Sequence, residues 1–121
     1  MRVLVTGATG FLGGAVVQML REAGHIVIAT GRSPVGCKRL ADAGIQTHQV
    51  DLSAPTTGAA FGALDAVVHT AALSAPWGPR AAFEAANIVA TRNVIAIARQ
   101  AGVRRFVNIS SPSVTFALVR A

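Results

Sequence analysis

The sequence predicts an α/β fold, a Rossmann-type doubly wound parallel sheet of about five strands. Short β-branched segments alternate with longer segments of helical periodicity, an order that is typical of right-handed βαβ units. Apolar residues make up 52% of the 121 residues and charged residues 13%, as expected where both faces of a sheet are covered. A turn with glycines at positions 7, 10 and 13 lies directly between the first predicted strand and the first predicted helix.

The first half of the chain predicts three strands and two helices. Apolar residues recur at helical spacing over residues 11–23, and Gly24 then supplies a helix stop signal. A short second helix is predicted from Pro34, because proline is favoured in the first helical turn, to the stop signal at Gly44. The three predicted strands cover residues 3–5, 25–30 and 45–50.

The second half predicts two further strands and the longest helix. Residues 53–64 are rich in Gly and Ala and only weakly helical, and the loop over residues 71–79 contains two prolines and the single tryptophan. Apolar spacing predicts a helix over about residues 81–101, ended by Gly102. The predicted buried face of this helix comprises Phe83, Ala86, Ala90, Val94, Ile97 and Ala101. The two strands cover residues 65–70 and 104–109.

Length and composition predict one domain, residues 1–121, and exclude several classes of partner. The net charge of +6 could favour nucleic acid, but the arginines are scattered and no nucleic-acid-binding motif is present. The three histidines share no metal-like spacing, so no metal is expected. A single cysteine fits a reducing compartment, and neither a signal peptide nor an apolar run of bilayer-spanning length is evident. We therefore expect a cytoplasmic protein with no membrane partner.

The glycine-rich turn predicts a dinucleotide site. In such a fingerprint Gly7 permits the tight turn, Gly10 lets the backbone approach a pyrophosphate, and Gly13 allows close packing of helix on strand. The N–H groups at the helix start, favoured by the helix dipole, then bind the phosphates. The alternative is a plain strand-to-helix turn without a ligand.

The end of the second strand favours NADP(H) over NAD(H). In NAD-binding folds an acidic residue about 20 residues past the fingerprint binds the adenosine ribose. Here the sequence is Thr30-Gly-Arg-Ser33, which has no carboxylate to repel a 2′-phosphate. Arg32 offers that phosphate a bidentate partner. NAD(H) stays the alternative, because Arg32 is also explained as an exposed loop side chain.

Five motifs occur along nearly the whole chain in a characteristic order. They are Thr6–Gly13, Asp51-Leu52, Val68–Ala72, Asn87–Thr91 and Ser110-Ser111. Together they resemble the extended short-chain dehydrogenase/reductase family, also called the NAD-dependent epimerase/dehydratase superfamily. Residues 72–79 and 110–114 look most like its 3β-hydroxysteroid dehydrogenase-like branch. That branch includes sterol dehydrogenases and reductases of long-chain 2-alkyl-3-keto acids.

The resemblance implies roles for individual residues. Asp51 and Leu52 would flank the adenine, with the carboxylate accepting a hydrogen bond from its amino group. Small side chains at Ala71 and Ala72 would leave room for the ribose. Ser111 would be catalytic, as the hydroxyl that hydrogen-bonds the substrate carbonyl or alcohol. The complete implied cofactor-binding set is Gly7, Thr9, Gly10, Phe11, Leu12, Gly13, Arg32, Asp51, Leu52, Ala71, Ala72 and Asn87.

Most of these residues also have a purely structural explanation. Asp51 would cap the next segment, Asn87 would bond to a neighbouring loop, and Ser111 would satisfy backbone groups at a strand end. The two alanines would only pack. His69 lies in an apolar strand and is predicted to be buried and hydrogen-bonded. By the family resemblance, Trp77 would lie in a loop near the substrate.

The proton-transfer pair of the family is missing. By the resemblance it would be a tyrosine, and a lysine four residues later, on the helix after the fifth strand. The chain has no tyrosine, and its single lysine is Lys38. We therefore expect a truncated, amino-terminal portion, inactive alone, of an NADP(H)-dependent oxidoreductase acting on a 3-hydroxy/3-keto sterol or long-chain acid. The alternatives are a fragment of a sugar-nucleotide epimerase/dehydratase and a non-catalytic NAD(P)-sensing module. The exposed edge of strand five predicts self-association.

Overall fold

The computed structural model describes residues 1–55, 58–72 and 77–110. Within these ranges the chain forms a single sheet of five parallel strands, which confirms the predicted fold class. The strands are β1 (Arg2–Thr6), β2 (Ile26–Gly31), β3 (Gln46–Gln49), β4 (Ala66–His69) and β5 (Arg105–Asn108). Their order in the sheet is β3-β2-β1-β4-β5.

The strand order reverses between β1 and β4. The chain builds outward from β1 to β3 on one side and then returns to place β4 on the other side of β1. Doubly wound sheets bind their ligands in the crevice at such a switch point, beyond the carboxyl ends of the strands. The β1–β4 register pairs Thr6 with His69, so these two residues lie side by side at that end of the sheet.

Two helices connect the first three strands. They are α1 (Phe11–Glu22) and α2 (Pro34–Asp42). Pro34 opens α2 as predicted, and the Ser33 hydroxyl caps it by accepting a hydrogen bond from the N–H of Gly36 at 3.0 Å. The weakly helical stretch after β3 contains a 3₁₀ helix, Gly58–Phe61. Each strand begins and ends within one residue of its predicted bounds.

The apolar core lies on both faces of the sheet. Successive side chains of a strand point to opposite faces, so Leu4 belongs to one cluster and its neighbours Val3 and Val5 to the other. The cluster around Leu4 includes Phe61 and the last helix, whereas the second cluster includes Val17 of α1. The high apolar fraction of the sequence thus covers the sheet on both sides.

The longest predicted helix is present, but it is interrupted. It consists of α3 (Arg80–Glu84), a π-helical segment (Ala85–Val89) and α4 (Ala90–Gln100). The predicted face is correct in α4, where Ala90, Val94 and Ile97 are buried, and Ala98, which was not predicted, is buried beside them. It is wrong at Ala101, which is exposed, and Phe83 and Ala86 are only half-buried. A π-helical turn holds more residues than an α-helical turn, so the apolar stripe shifts across it.

The helical run Arg80–Gln100 is long and apolar enough to cross a membrane by length and composition alone, with a hydropathy of 1.2. This differs from the expectation that no segment reaches that length. The same length and composition occur in core helices of soluble proteins, and one face of α4 packs into the core cluster around Leu4.

Candidate dinucleotide-binding site

The glycine-rich turn leaves no room for side chains at two of its three glycines. Gly7 has a φ of +64°, and a Cβ at this position would lie 2.8 Å from the nitrogen of Ala71. A Cβ on Gly13 would collide with the carbonyl oxygen of Gly7 and would lie 2.6 Å from its carbonyl carbon. The turn therefore packs directly against the end of β4 and against the first turn of α1.

The start of α1 presents backbone donors. Gly10 donates its N–H to the carbonyl of Gly7 at 3.0 Å, and the first intrahelical bond runs from the N–H of Gly14 to the carbonyl of Gly10 at 2.9 Å. The N–H groups of residues 11–13 have no intrahelical carbonyl to pair with, as at any helix start. Phe11 is 99% exposed and Leu12 45%. Neither side chain lines the crevice, so their contribution to binding would come from these backbone groups.

A cavity of about 880 Å³ opens beyond the carboxyl ends of β1, β2 and β4. The predicted residues that line it are Gly7, Thr9, Gly10, Arg32, Asp51, Leu52, Ala71 and Ala72. Gly13 lies behind the turn and does not line it. The opposite wall consists of small side chains of the long helix, which are Ala82, Ala85, Ala86 and Ala90. The structure thus brings together eight predicted residues from four separate segments of the chain.

Asp51 lies at the end of this cavity nearest β2. Its Oδ1 accepts hydrogen bonds from the Ser53 hydroxyl at 2.7 Å and from the Ser53 N–H at 3.0 Å. These two bonds lower the pKa of Asp51, burial opposes them slightly, and the charge of Arg32 lowers the pKa further. Asp51 therefore caps the following turn, as its structural explanation predicted, and it also lines the cavity; its predicted contact with an adenine stays a prediction.

Arg32 is exposed and lies beside Asp51. Both residues also line a smaller cavity of about 200 Å³. Lys38, a nearby cation on α2, pairs with Asp42 at 2.8 Å on the surface of that helix. Arg32 is thus a cationic side chain that borders the end of the large cavity at which Asp51 lies.

A buried hydrogen-bond network ties β1, β4 and the long helix together. The Thr6 hydroxyl accepts from the N–H groups of Thr70 and Ala71, each at 3.1 Å. Its own hydrogen is then directed to Nδ1 of His69 at 2.7 Å. His69 must therefore carry its proton on Nε2, where it donates to the Thr91 hydroxyl at 2.9 Å.

The last link of this network reaches the π-helical segment. The Thr91 hydroxyl donates to the carbonyl oxygen of Asn87 at 2.9 Å. His69 is 3% exposed, and burial lowers its pKa, so the neutral imidazole that the network requires is also the favoured one. The prediction that His69 is buried and hydrogen-bonded is confirmed.

Besides Phe11, Leu12 and Gly13, three further predicted residues lie outside the cavity or outside the described residues. Asn87 is exposed on the π-helical segment and is not among the lining residues. Trp77 is 87% exposed and also does not line the cavity. Ser111, the predicted catalytic hydroxyl, lies outside the described residues. Among the described residues, no group of three His, Cys, Asp or Glu side chains could hold a metal ion.

Sequence reasoning missed Asn93. Its side-chain amide donates to the carbonyl of Leu52 at 2.7 Å and so holds the loop that carries Asp51 against the helix. The sequence feature that could have indicated this role is the position of Asn93 directly beside Val94, as a polar residue on a helix face that is otherwise apolar. The hydroxyl residues Thr30, Ser33, Ser53 and Thr70 also line the cavity but were not among the predicted binding residues.

Residues 3–117 match the NAD dependent epimerase/dehydratase family. The uncharacterized protein YbjS of Escherichia coli (strain K12) is 40% identical over 119 residues, which cover 96% of this chain and 35% of that protein. A 2-alkyl-3-oxoalkanoate reductase of Stenotrophomonas maltophilia (strain K279a) is 40% identical over 95% of this chain and 34% of its own length. A 3 beta-hydroxysteroid dehydrogenase/Delta 5-->4-isomerase of Mycobacterium tuberculosis (strain CDC 1551 / Oshkosh) is 35% identical over 93% of this chain and 32% of its own length. The chain thus spans about a third of the length of these curated relatives.

Solved structures share the fold. The structure of a UDP-galactose 4-epimerase superimposes with a TM-score of 0.84 at 34% identity, covering 94% of this chain and 39% of the epimerase. MoeE5 in complex with UDP-glucose and NAD superimposes with a TM-score of 0.81 at 32% identity, covering 98% of this chain and 39% of MoeE5.

Proposed function

Because the chain belongs to the NAD dependent epimerase/dehydratase family, we propose that it binds a nicotinamide dinucleotide and prefers NADP(H). The family membership confirms the resemblance that the sequence motifs predicted. The observation that carries the proposal is the position of the 880 Å³ cavity. It lies at the switch point of the sheet, and the glycine-rich turn forms one of its walls. A dinucleotide in this fold binds at that crevice.

The residues present fit such a cofactor. The backbone at Gly7 and Gly13 is closed to side chains. Gly7, Thr9 and Gly10 of the turn line the cavity, and the backbone donors of the α1 start follow directly after them. Those donors and the helix dipole favour a diphosphate. The alanine wall of the long helix and Ala71 leave room for flat rings and riboses. When bound, the nicotinamide supplies the hydride donor or acceptor of the family's chemistry.

Arg32 supports the preference for NADP(H). It borders the adenosine end of the cavity, and its neighbours Gly31 and Ser33 carry no charge that would repel a 2′-phosphate. Asp51 also lies there as an anion, but two hydrogen bonds from Ser53 occupy its Oδ1. A guanidinium in that place can form a charge-assisted, bidentate contact with a phosphate.

Calorimetric titration with NADPH and NADH tests the proposal. We expect both to bind, NADPH more tightly, and Arg32→Ala to weaken NADPH binding about tenfold or more, since a hydrogen bond to a charged group is lost. NADH binding should change little. Arg39→Ala is the matched control, because Arg39 is an exposed arginine on the same helix–turn segment that does not line the cavity. Equal losses in both variants would show that only net charge matters, and no binding by the folded chain would refute the proposed function.

We propose further that the parent reaction is hydride transfer between NADP(H) and a 3-hydroxy/3-keto sterol or long-chain acid, and that this chain alone does not catalyse it. The similarity to a 2-alkyl-3-oxoalkanoate reductase and to a 3 beta-hydroxysteroid dehydrogenase/Delta 5-->4-isomerase supports the reaction class. Inactivity is supported by the sequence, which has no tyrosine to transfer the proton. The expected result is cofactor binding without oxidation of NADPH in the presence of a 2-alkyl-3-oxo acid; oxidation dependent on that acid would contradict it.

A sugar-nucleotide epimerase or dehydratase parent is the second candidate. The similarity to a UDP-galactose 4-epimerase and to MoeE5 favours it. Direct titration with UDP-glucose distinguishes the candidates, because binding of a UDP-sugar to this chain would favour the epimerase class.

Self-association through β5 is also proposed. β5 is an edge strand of the described sheet, and Val107 and Ile109 are 50% and 42% exposed. Unpaired strand edges with apolar side chains favour pairing with another chain. Sedimentation velocity should show a concentration-dependent dimer or larger species, whereas a monomer at every concentration would contradict this.

A further inference from the structure

The Thr9 side chain lies between Gly31, the last residue of β2, and Gly36, in the first turn of α2. A Cβ built on Gly31 would lie 2.5 Å from Cγ2 of Thr9 and 2.9 Å from its Oγ1. A Cβ built on Gly36 would lie 2.8 Å from both Cβ and Cγ2 of Thr9. These distances are far inside van der Waals contact, so a side chain at either glycine would displace Thr9 or the backbone that carries it. We call this arrangement, Thr9 between Gly31 and Gly36, the Thr9 slot.

The Thr9 slot joins the two loops that border the cavity. Thr9 belongs to the glycine-rich turn, whereas Arg32 and Ser33 lie between the two glycines of the slot, and all three residues line the cavity. The Ser33 hydroxyl, which accepts from the N–H of Gly36, would lie 3.3 Å from a Cβ on that glycine. The turn over residues 31–36 is therefore held against the glycine-rich turn by direct packing.

A backbone bond reinforces the same junction. The N–H of Ala8 donates to the carbonyl of Thr30 at 3.0 Å, so the residues just before Thr9 and just before Gly31 are also joined. The packing of Thr9 and the Ala8–Thr30 hydrogen bond are two independent contacts. Together they set the distance between the backbone donors at the start of α1 and Arg32.

We propose that Thr9 is a positioning residue that sets the preference of the site for a 2′-phosphorylated dinucleotide. The inference rests on the proposed function. The separation between the diphosphate and the adenosine 2′ position is limited by the covalent structure of the dinucleotide. A protein that binds both groups must therefore hold its two phosphate-binding loops at a matching distance, and small displacements from it are costly. The Thr9 slot is the side-chain contact that holds them.

Gly36→Ala tests the proposal, with Gly14→Ala as its matched control. Both replace a glycine within a helix, but a Cβ on Gly14 would meet only the carbonyl oxygen of Ala8, at an ordinary 3.6 Å. The measured quantity is the ratio of the NADH Kd to the NADPH Kd, with thermal unfolding followed in parallel. We expect Gly36→Ala to lower this ratio about tenfold, as when one hydrogen bond to a charged group is lost, and Gly14→Ala to leave it unchanged.

Thr9→Ala keeps the proposal testable if Gly36→Ala does not fold. It removes Cγ2 and Oγ1 from the slot without adding atoms, and we expect the ratio to fall again. If the Thr9 hydroxyl instead only binds a phosphate common to both cofactors, both Kd values rise together and the ratio stays constant, which overturns the proposal. A ratio unchanged in Gly36→Ala also overturns it, as does a wild-type chain that binds both cofactors equally well. A folded wild-type chain that binds neither refutes the proposed function itself.

Discussion

Thr6 and Thr30 are two buried threonines in matching places, and the same substitution should affect them in opposite directions. Each lies at or near the carboxyl end of its strand, β1 or β2, and each is 0% exposed. The Thr6 hydroxyl makes three hydrogen bonds, to the N–H groups of Thr70 and Ala71 and to His69. The Thr30 hydroxyl is buried without a partner among the described residues. Valine has nearly the shape of threonine and removes only the hydroxyl.

The magnitudes follow from the partners left behind. Thr6→Val leaves one buried imidazole nitrogen and two half-buried N–H groups unpaired. At about 1–3 kcal/mol for each fully buried unsatisfied group, and less for the two that border the cavity, the loss is about 3 kcal/mol. For a domain of this size that corresponds to a decrease in Tm of about 12 °C. Thr30→Val removes an unpaired hydroxyl and should raise the free energy of unfolding by about 1 kcal/mol.

Urea unfolding followed by circular dichroism measures both variants against the wild type. The expected order of midpoints is Thr30→Val, wild type, then Thr6→Val, with equal m-values. If the two variants lose the same stability, methyl-for-hydroxyl packing rather than the network determines the effect, and the assigned hydrogen bonds at Thr6 are refuted.

Two further predictions concern the same region. Burial lowers the pKa of His69 in the folded chain below its ordinary value of 6.5. Below pH 6.5 the unfolded state therefore binds a proton that the folded state does not, so the contribution of His69 to stability is complete above that pH and is lost as the pH falls. His69→Gln should flatten this pH dependence in urea unfolding midpoints, and an unchanged slope would contradict the assignment. Gly13→Ala should destabilise the chain by about 1–3 kcal/mol, because the added methyl group is overpacked against Gly7. Gly14→Ala should stabilise it by up to about 1 kcal/mol, because alanine favours the helix more than glycine does. Thermal unfolding of both variants checks this, and equal shifts in Tm would show that the turn has room for a side chain at Gly13.

The strands and helices could be predicted because their signals are local. The apolar run at β1, the glycines of the turn and the stop signal at Gly24 each act within a few residues. The lining of the cavity by Asp51 and Ala71 was predictable only through the family motifs, because these residues lie in different loops. No local pattern indicates that the strand order brings those loops to one crevice.

The Thr6 network could not be predicted for a physical reason. Thr6 and His69 are 63 residues apart in sequence, and His69 and Thr91 are 22 apart. Whether a threonine hydroxyl pairs depends on what the neighbouring strand places beside it. Thr30 has the same burial and the same local sequence character as Thr6, but its hydroxyl has no hydrogen-bond partner within the part of the chain that the structure describes.

The π-helical segment connects this network to the shape of the cavity. Ala85 lies in the segment and Ala90 follows it directly, and both line the cavity. The carbonyl of Asn87, between them, accepts from the Thr91 hydroxyl, which in turn accepts from His69. Side-chain bonds from threonine to a carbonyl four residues earlier often bend helices, and π-helical turns, which are rare, frequently occur at functional sites. The buried imidazole therefore anchors the helix at the point where it departs from α-helical geometry, and the alanine wall takes its position relative to β4 from that anchor.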